Sequence, residues 1–249
     1  MNIGIDLRSV QENAIHRGIG KYITSLLKAL DEIDHDNDYY LFLYPSQAEF
    51  AQSSLPHGTH RHFIFLPPAR FRHRKFIRTV VIGNEKLSVD KYGLNVVLQL
   101  DVLYPIAHKR TPTVSVVYDL IPFIFKGDYQ QPVRLRYKTL AGLIILFKES
   151  RLRHIFNSSM HVHRQSDAVI AISEHTADDL SGATNIARDI IHAIPLGAET
   201  LPENTVSRKP QALKPSERFI FYVGGVDPRK QVPMLVEQFA ELRKRHDIR

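Results

Sequence analysis

Continuous runs of branched aliphatic residues constrain the fold of this chain more than any other feature. Asn95–Leu100 (NVVLQL) and Thr113–Leu120 (TVSVVYDL) are rich in valine and do not alternate between apolar and polar residues. Strands that are buried on both faces have this pattern, and they build parallel sheets that helices cover on both sides. Five further runs have strand character: Asn2–Asp6, Tyr39–Tyr44, His62–Pro67, Asp167–Ile172 and Ile190–Gly197. Because helical patterns lie between these runs, the sequence predicts an α/β fold with a doubly wound parallel sheet.

A polar segment divides the chain. Residues 199–217 contain three prolines and show no periodicity, which is typical of a linker. We therefore expect one domain at residues 1–198 and the incomplete start of a second domain at residues 218–249. A piece of about 30 residues cannot bury enough apolar surface to fold alone. We expect the chain to be a fragment, the product of a truncated gene, or a polypeptide that another chain completes.

Composition excludes several classes of protein. The chain has no cysteine, so a disulfide framework and thiolate chemistry are excluded. Asp6 and Arg8 stand where a signal peptide needs apolar residues. The longest aliphatic block, Leu140–Phe147, is far shorter than the roughly 20 residues that span a bilayer. We expect a soluble chain in the cytoplasm.

The chain is basic, with a formal net charge of +7, and its positive charge is clustered. The clusters are Arg70–Arg78, Arg134–Lys138, Lys148–His154 and Leu242–His246. Such clusters are either solvated surface or binding sites for anionic partners. No nucleic-acid-binding motif accompanies them, so we expect no nucleic-acid partner. Aromatic and aliphatic residues beside the clusters suggest a hypothesis of peripheral contact with the anionic inner face of a membrane.

Two glycines follow the first strand. In a doubly wound sheet, ligands bind beyond the carboxyl ends of the strands. Gly18 and Gly20, in the stretch HRGIGKY, let a ligand approach the backbone closely beside the start of a helix. The alternative is a tight turn that only opens the helix. The spacing is not the dinucleotide-binding pattern, because Ile23 stands at the third glycine position.

Polar residues also follow two later strands. Asp119 is the candidate catalytic residue, expected to contact a hydroxylated substrate with Tyr118 shaping the pocket, or else to fix its own loop. Ser173 is predicted to be the N-cap of the next helix, with Thr176 as a rival cap position. Ser173 and Glu174 are also candidates for the cleft. His161 and His163 have a spacing that points to opposite sides of a helix, and no ligand at a matching spacing completes a metal site.

A basic turn near the end of the chain is the last candidate site. Gly224 and Gly225 are expected to end a strand, and Arg229 and Lys230 precede a helical pattern. A pair of cations beside a helix N-terminus can hold a diphosphate and stabilise it as a leaving group. The alternative is a basic turn without a ligand.

The order of these motifs carries a resemblance to a known family. RGIGKY, YDLIP, ISEHTADDL, IPLGAE and YVGGVDPRKQ follow one another along the chain. In this order they resemble the retaining glycosyltransferases of family four, which have the GT-B fold. The resemblance runs from Asn2 to about Leu242.

The resemblance implies two Rossmann-like domains that face a cleft. The N-terminal domain would take the acceptor, and the C-terminal domain would bind a nucleotide-diphospho-sugar. Gly18 and Gly20 match the loop that closes over the donor phosphates, whereas Arg229 and Lys230 match the residues that neutralise the diphosphate. Arg17 becomes a further cleft candidate. The reaction would retain the anomeric configuration without a bound metal or cofactor.

The chain departs from the family at three places. Tyr118 and Asp119 stand where many members have His-Asp, so no role that rests on that histidine carries over. Some relatives have an arginine where Gly225 stands, and the paired-glutamate segment that holds the donor sugar is missing.

The function expected from these motifs is transfer of a sugar from a nucleotide-diphospho-sugar to a polysaccharide or lipid-linked acceptor. The chain would be a glycosyltransferase or a truncated part of one. The alternative is a non-catalytic, glycosyltransferase-like binding module that keeps the acceptor site. A basic nucleic-acid binder ranks last.

Overall fold

The computed structural model describes residues 1–8, 10, 18–66, 89–101, 111–124, 160–198, 218–225 and 230–246. The chain forms two compact units, Met1–Ala198 and Glu199–Arg249. The predictions for Arg17, for Arg229 and for the three basic clusters between Arg70 and His154 lie outside the described residues.

Seven strands form one sheet in the described part of the first unit. They are β1 (Asn2–Asp6), β2 (Asp38–Leu43), β3 (Arg61–Phe65), β4 (Val96–Gln99), β5 (Thr113–Val117), β6 (Ala168–Ala171) and β7 (Ile191–Ala193). Their order is β3-β2-β1-β4-β5-β6-β7, and every neighbouring pair is parallel. The predicted α/β fold with a doubly wound, Rossmann-like parallel sheet is confirmed.

Helices flank this sheet. The described ones are α1 (Gly18–Ile33), α2 (Ala48–Ser54), α3 (Ile121–Ile124) and α4 (Glu174–Ala183), with a further helical segment at residues 160–165. Short 3-10 helices lie at Pro45–Gln47, Asp90–Tyr92 and Arg188–Ile190. α1 buries Ile23 and Leu27 in the same cluster as Ile5 and Leu7 of the β1 segment. Its apolar face therefore seals one face of the sheet.

The opposite face of the sheet holds two separate apolar clusters. One contains Phe42 and Val97, and the other contains Val117 and Val169. Gly4 lies on this face, where an added Cβ would stand 2.7 Å from Leu94 Cδ1. Glycine at this position lets the neighbouring side chain pack directly against the backbone of β1.

A polar row separates these two clusters. Asp6 pairs in register with Gln99, and Gln99 pairs with Ser115. Residues in register on neighbouring strands share a face, so the three polar side chains lie side by side on the face that carries both clusters. All three are buried.

The strand order reverses direction between β1 and β4. The chain moves outward from β1 to β2 and β3, and then returns to build β4 to β7 on the other side of β1. Such a switch point leaves a crevice at the carboxyl ends of the two strands, and ligands of open α/β sheets bind there. Asp6 and Gln99 end the two strands that flank this point.

The described part of the second unit contains one helix, α5 (Val232–Arg243). The predicted strand at Phe219–Val223 is wrong for this structure, because residues 218–225 form no strand. Phe221 is 73% and Val223 is 78% exposed. A strand exists only by hydrogen bonding to a neighbouring strand. Residues 218–225 and 230–246 supply no such neighbour.

Candidate functional site

The start of α1 supplies the two predicted glycines of the first unit. Gly18 is the first residue of the helix and is exposed, whereas Gly20 is buried in the first turn. A Cβ added at Gly18 would meet no atom within 4 Å. Packing within the protein therefore does not require glycine at position 18, and the space beside its backbone is open.

A buried ion pair fixes the chain where β1 ends. Asp6 is 2% and Arg8 is 1% exposed. Arg8 donates from Nε to Asp6 Oδ1 at 2.9 Å and from Nη2 to Oδ2 at 2.8 Å. The Arg8 backbone N–H also donates to Oδ1 at 3.1 Å. This bidentate arrangement holds both side chains in one geometry.

Gln47 ties the same segment to the 3-10 helix after β2. Its Nε2 donates to the carbonyl oxygen of Leu7 at 2.9 Å and also to that of Val10. Its Oε1 accepts the backbone N–H of Tyr44 at 2.8 Å. Both ends of the amide are therefore paired, and the chain that leaves β1 is fixed by backbone contacts as well as by the ion pair.

Neither the Asp6–Arg8 ion pair nor the contacts of Gln47 were predicted from the sequence. Asp6 and Arg8 served only to argue against a signal peptide. The signal was present, because a carboxylate at the end of a buried strand is the same pattern that selected Asp119. No local pattern marked Gln47, since its partners Leu7 and Val10 lie far away in the sequence.

Tyr118 lies just beyond β5 and connects three elements. Its hydroxyl donates to the carbonyl oxygen of Leu100, which follows β4, at 2.7 Å. Its ring meets that of Tyr22 in α1 edge to face, with ring centroids 5.5 Å apart. Burial, followed by the nearby Tyr22 and Asp101, raises the pKa of Tyr118 far above its ordinary value. Tyr118 is therefore protonated and acts as a hydrogen-bond donor.

Asp119 lies next to Tyr118 and is exposed. Its Oδ1 accepts the backbone N–H of Ile121, the first residue of α3, at 3.0 Å. This is the loop-fixing contact that the sequence left as an alternative. It engages one oxygen of the carboxylate at the edge of the sheet, and the predicted contact with substrate stays a prediction.

Ser173 and Glu174 follow β6, the strand beside β5. Ser173 is the N-cap of α4, and its Oγ accepts the backbone N–H of Thr176 at 3.1 Å. The predicted cap is confirmed. Glu174 Oε2 accepts from Arg188 Nη2 at 2.9 Å on the exposed surface. Their roles in a cleft stay predictions.

Ser115 and His163 form a polar cluster below this edge. His163 is buried, whereas His161 is exposed, so the two histidines point to opposite sides of their helical segment as predicted. His163 Nδ1 lies 2.8 Å from Ser115 Oγ, and Ser166 Oγ donates to Ser115 Oγ at 2.9 Å. Burial lowers the pKa of His163 to about 4, so its ring is uncharged at neutral pH.

Lys230 is the described member of the predicted basic pair in the second unit. It is exposed and precedes Gln231, which adopts a left-handed backbone conformation with φ of 49° at the start of α5. A non-glycine residue in this region is uncommon. The binding of a diphosphate by Lys230 stays a prediction.

The described residues form neither a metal-binding cluster nor a helix that could cross a membrane. They contain no group of three or more His, Cys, Asp or Glu side chains placed to hold a metal ion. Among the helices they form, none combines the length and the apolar character needed to cross a membrane.

Comparison with known proteins finds similarity to one curated protein and weak similarity to two solved structures. The serotype-specific mannosyltransferase WbdA of Escherichia coli is 23% identical in an alignment of 288 positions, which covers 100% of this chain and 31% of that protein. A UGT transferase of Siraitia grosvenorii solved in complex with UDP gives a TM-score of 0.41 at 14% identity, covering 77% of this chain and 50% of its own. The E. coli heptosyltransferase WaaC with ADP gives a TM-score of 0.24 at 12% identity, covering 80% and 75%.

The chain thus spans 31% of the length of the mannosyltransferase that it resembles. A sequence model described as Glycosyltransferase Family 4 matches residues 16–200, which is well over half of the 249 residues. This match covers α1, the sheet from β2 to β7, and the candidates that follow β5 and β6. The chain belongs to Glycosyltransferase Family 4.

Proposed function

We propose that this chain is the acceptor-side part of a GT-B glycosyltransferase that transfers a hexose from a nucleotide-diphospho-sugar to a polysaccharide or lipid-linked acceptor. The observation that carries the proposal is the family match over residues 16–200. This range contains nearly all of the first unit, Met1–Ala198. The switch point between β1 and β4 supports it, because that is where an open α/β sheet binds its ligand.

Mannose is the hexose that we propose. The support is the 23% identity with a protein named as a mannosyltransferase. In the proposed reaction, a bond forms between an acceptor hydroxyl oxygen and the anomeric carbon of the sugar. The bond from that carbon to the diphosphate breaks, the acceptor hydroxyl loses its proton, and the anomeric configuration is retained.

The proposed roles of Asp119, Gly18 and Gly20 follow from their place after strands of the first unit, and those of Arg229 and Lys230 follow from the family resemblance alone. Asp119 would bind a hydroxyl of the acceptor beside the Tyr118 ring, and Gly18 and Gly20 would admit the donor phosphates to the start of α1. The absence of steric demand at Gly18 supports this role. Arg229 and Lys230 would neutralise the diphosphate, with no resident metal or cofactor.

A transfer assay tests the proposal. The 249-residue chain is incubated with nucleotide-diphospho-mannose and a membrane-derived polysaccharide fraction, and transfer of labelled mannose is measured with and without EDTA. We expect transfer that EDTA does not reduce, and a product whose anomeric proton coupling matches that of the donor. Absence of transfer from every nucleotide-sugar tried would contradict the catalytic part of the proposal.

A second candidate function is a non-catalytic binding module. It is favoured by the second unit, where residues 218–225 form no strand and the residues of α5 include none that is buried. A donor site needs ordered, desolvated groups. Acceptor binding without transfer, by a folded chain, would support this candidate, whereas any measurable transfer would eliminate it.

Peripheral membrane contact is a further part of the proposal. α5 ends at Arg243; Lys244 and Arg245 follow it directly, and Leu242 at this end of the helix is exposed. A basic helix end beside an exposed apolar residue suits an anionic bilayer surface at the inner face of the membrane, in the cytoplasm. Flotation with vesicles that contain anionic lipid should carry the chain upward. Equal flotation with purely zwitterionic vesicles would contradict the electrostatic part.

A further inference from the structure

Gln99 stands out among the described residues because its side-chain amide is buried and has no hydrogen-bond partner. Both Oε1 and Nε2 are inaccessible to solvent and unpaired. The residue as a whole is 1% exposed. Nearly all buried polar groups in folded proteins find a partner, and a buried amide without one lowers stability. A group of this kind calls for a ligand or for a functional reason.

The position of Gln99 favours a ligand. It is the last residue of β4, and its register partner Asp6 is the last residue of β1. These two strands flank the point where the strand order reverses. The unpaired amide therefore lies at the place where the topology of the sheet provides a binding crevice.

The neighbours of Gln99 in the polar row are already paired. On one side, Asp6 is held in the bidentate ion pair with Arg8. On the other side, Ser115 is bonded to His163 and Ser166. The ion pair has no net charge and His163 is uncharged, so the described neighbours of Gln99 in the polar row present no net charge that would attract an ion. A neutral ligand is therefore favoured over a phosphate or a cation.

The chemistry of an amide specifies this ligand further. Gln99 offers one carbonyl acceptor and two N–H donors. A hydroxyl group both donates and accepts a hydrogen bond, so it can pair with the two ends of one amide. We propose that the Gln99 side-chain amide binds a hydroxyl group, which either an enclosed water molecule or the hydroxylated sugar acceptor supplies. The second source rests on the proposed function.

Gln47 provides a matched control within the same unit. It is also buried, but its Nε2 donates to two carbonyl oxygens and its Oε1 accepts a backbone N–H. Methionine has nearly the shape of glutamine without its polar atoms. Gln47→Met should therefore lower Tm by about 4–8 °C, since it leaves several backbone groups unpaired. This Tm shift shows how much stability is lost when a fully hydrogen-bonded buried amide is removed, and the Tm shift of the Gln99 variants is compared with it.

The experiment compares Gln99→Met and Gln99→Leu with wild type and with Gln47→Met in the 249-residue chain. Tm is measured by calorimetry, and the binding of methyl α-D-mannopyranoside is measured by NMR titration. A high-resolution crystal structure of the wild type is examined at the amide. If Gln99 holds a water molecule, Tm of Gln99→Met falls by about 2–4 °C and an ordered water lies beside the amide.

A sugar hydroxyl gives a different result. Tm of Gln99→Met then equals or exceeds that of wild type, because the variant removes an unpaired buried amide. The Kd for the mannoside rises by about ten-fold, the size expected for loss of a hydrogen-bonded pair. If neither variant folds, the crystal structure decides, since a wild-type amide with neither water nor sugar beside it contradicts the proposal.

The proposal is overturned if Gln99→Met is at least as stable as wild type and mannoside binding is unchanged or absent in both. The Gln99 amide would then bind neither a water molecule nor a sugar hydroxyl. Failure of sugar transfer by the wild-type chain is a separate result. It would count against the proposed function and would leave the comparison of Tm values, and with it the water-binding form of the proposal, untouched.

Discussion

Substitution of Gly18 shows whether this glycine is needed for binding or for packing, because the two roles predict different effects on KM and on stability. Because an added Cβ would meet no atom within 4 Å, Gly18→Ala should not lower stability, and it should raise the free energy of unfolding by up to about 1 kcal/mol. If the loop admits donor phosphates, the added methyl group should raise KM for the nucleotide-sugar by about ten-fold or more.

Gly182 gives the matched control for that substitution. It lies in α4, and a Cβ there also meets nothing within 4 Å. Gly182→Ala should change neither KM nor kcat. Unchanged kinetics in Gly18→Ala as well would contradict a role for Gly18 in binding the donor.

His163 should make stability depend on pH. Burial lowers its pKa to about 4 in the folded chain, whereas an exposed histidine titrates near 6.5. Between these values the unfolded chain binds a proton that the folded chain does not, so stability falls as the pH falls from about 6.5 to about 4. The loss should total about 3 kcal/mol. Above pH 6.5 the group contributes no pH dependence.

Urea unfolding at several pH values checks this dependence. His163→Gln should flatten the curve of unfolding free energy against pH between 4 and 6.5, apart from any uniform loss of stability. The exposed neighbour His161 is the control, since His161→Gln should leave the slope as it is. Equal slopes in wild type and His163→Gln would show that His163 is not the group responsible.

Removing only one member of the Asp6–Arg8 ion pair should lower stability more than removing both. Arg8→Met leaves the Asp6 carboxylate buried without its cation, and we expect a loss of about 3–5 kcal/mol. The double variant Asp6→Leu/Arg8→Met removes both charges, so it should be more stable than Arg8→Met. Chemical denaturation of the three proteins measures both differences. A double variant less stable than the single one would contradict the expectation that the unpaired Asp6 carboxylate causes the loss in Arg8→Met.

At the scale of elements, the start of α4 depends on Ser173. Its Oγ accepts the Thr176 N–H, one of the helix donors that would otherwise lack a partner. Ser173→Ala should lower stability by about 1 kcal/mol, whereas Ser173→Asp should preserve it because aspartate also caps helices. Thermal unfolding compares the two. If Ser173→Asp is stable but transfers sugar poorly, the hydroxyl also has a role in the cleft.

Local chemistry made this element predictable. The capping serine accepts a hydrogen bond from the backbone N–H three residues later, so both partners lie within one turn of helix and are visible in the sequence. The seven strands were predictable for a related reason, since β-branched residues such as the valines of β4 and β5 favour extended backbone. Their ends were less certain. The strand expected over Thr113–Leu120 stops at Val117, before Tyr118 and Asp119.

At the scale of the whole molecule, hydrogen exchange should distinguish the two units. β1 and β4 lie inside the sheet, with a hydrogen-bonded neighbour on each side, so their amide protons should exchange only on global unfolding. Residues 220–223 belong to no strand, so their amides should exchange rapidly. Mass-spectrometric exchange on the intact chain measures both. Slow exchange at residues 220–223 would mean that this segment has found a strand partner.

The candidate site shows where prediction from sequence stops. Asp119 and Ser173 were found because each follows its own strand, and the structure places both at the carboxyl edge. Gln99 was overlooked as a single polar residue in an apolar run. Its significance lies in its neighbours, since only the register of β4 against β1 and β5 shows that its amide is left without a partner.

The sequence by itself determined the seven strands and their order along the chain, the cap at Ser173 and the motifs that relate the chain to its family. Each of these depends on residues close together in the chain, where propensity and hydrogen bonding act locally. The tertiary structure decided the Asp6–Arg8 geometry, the isolation of Gln99 and the failure of residues 219–223 to form a strand. Strand pairing and burial join residues that are distant in sequence, so only the folded arrangement shows which polar groups find partners.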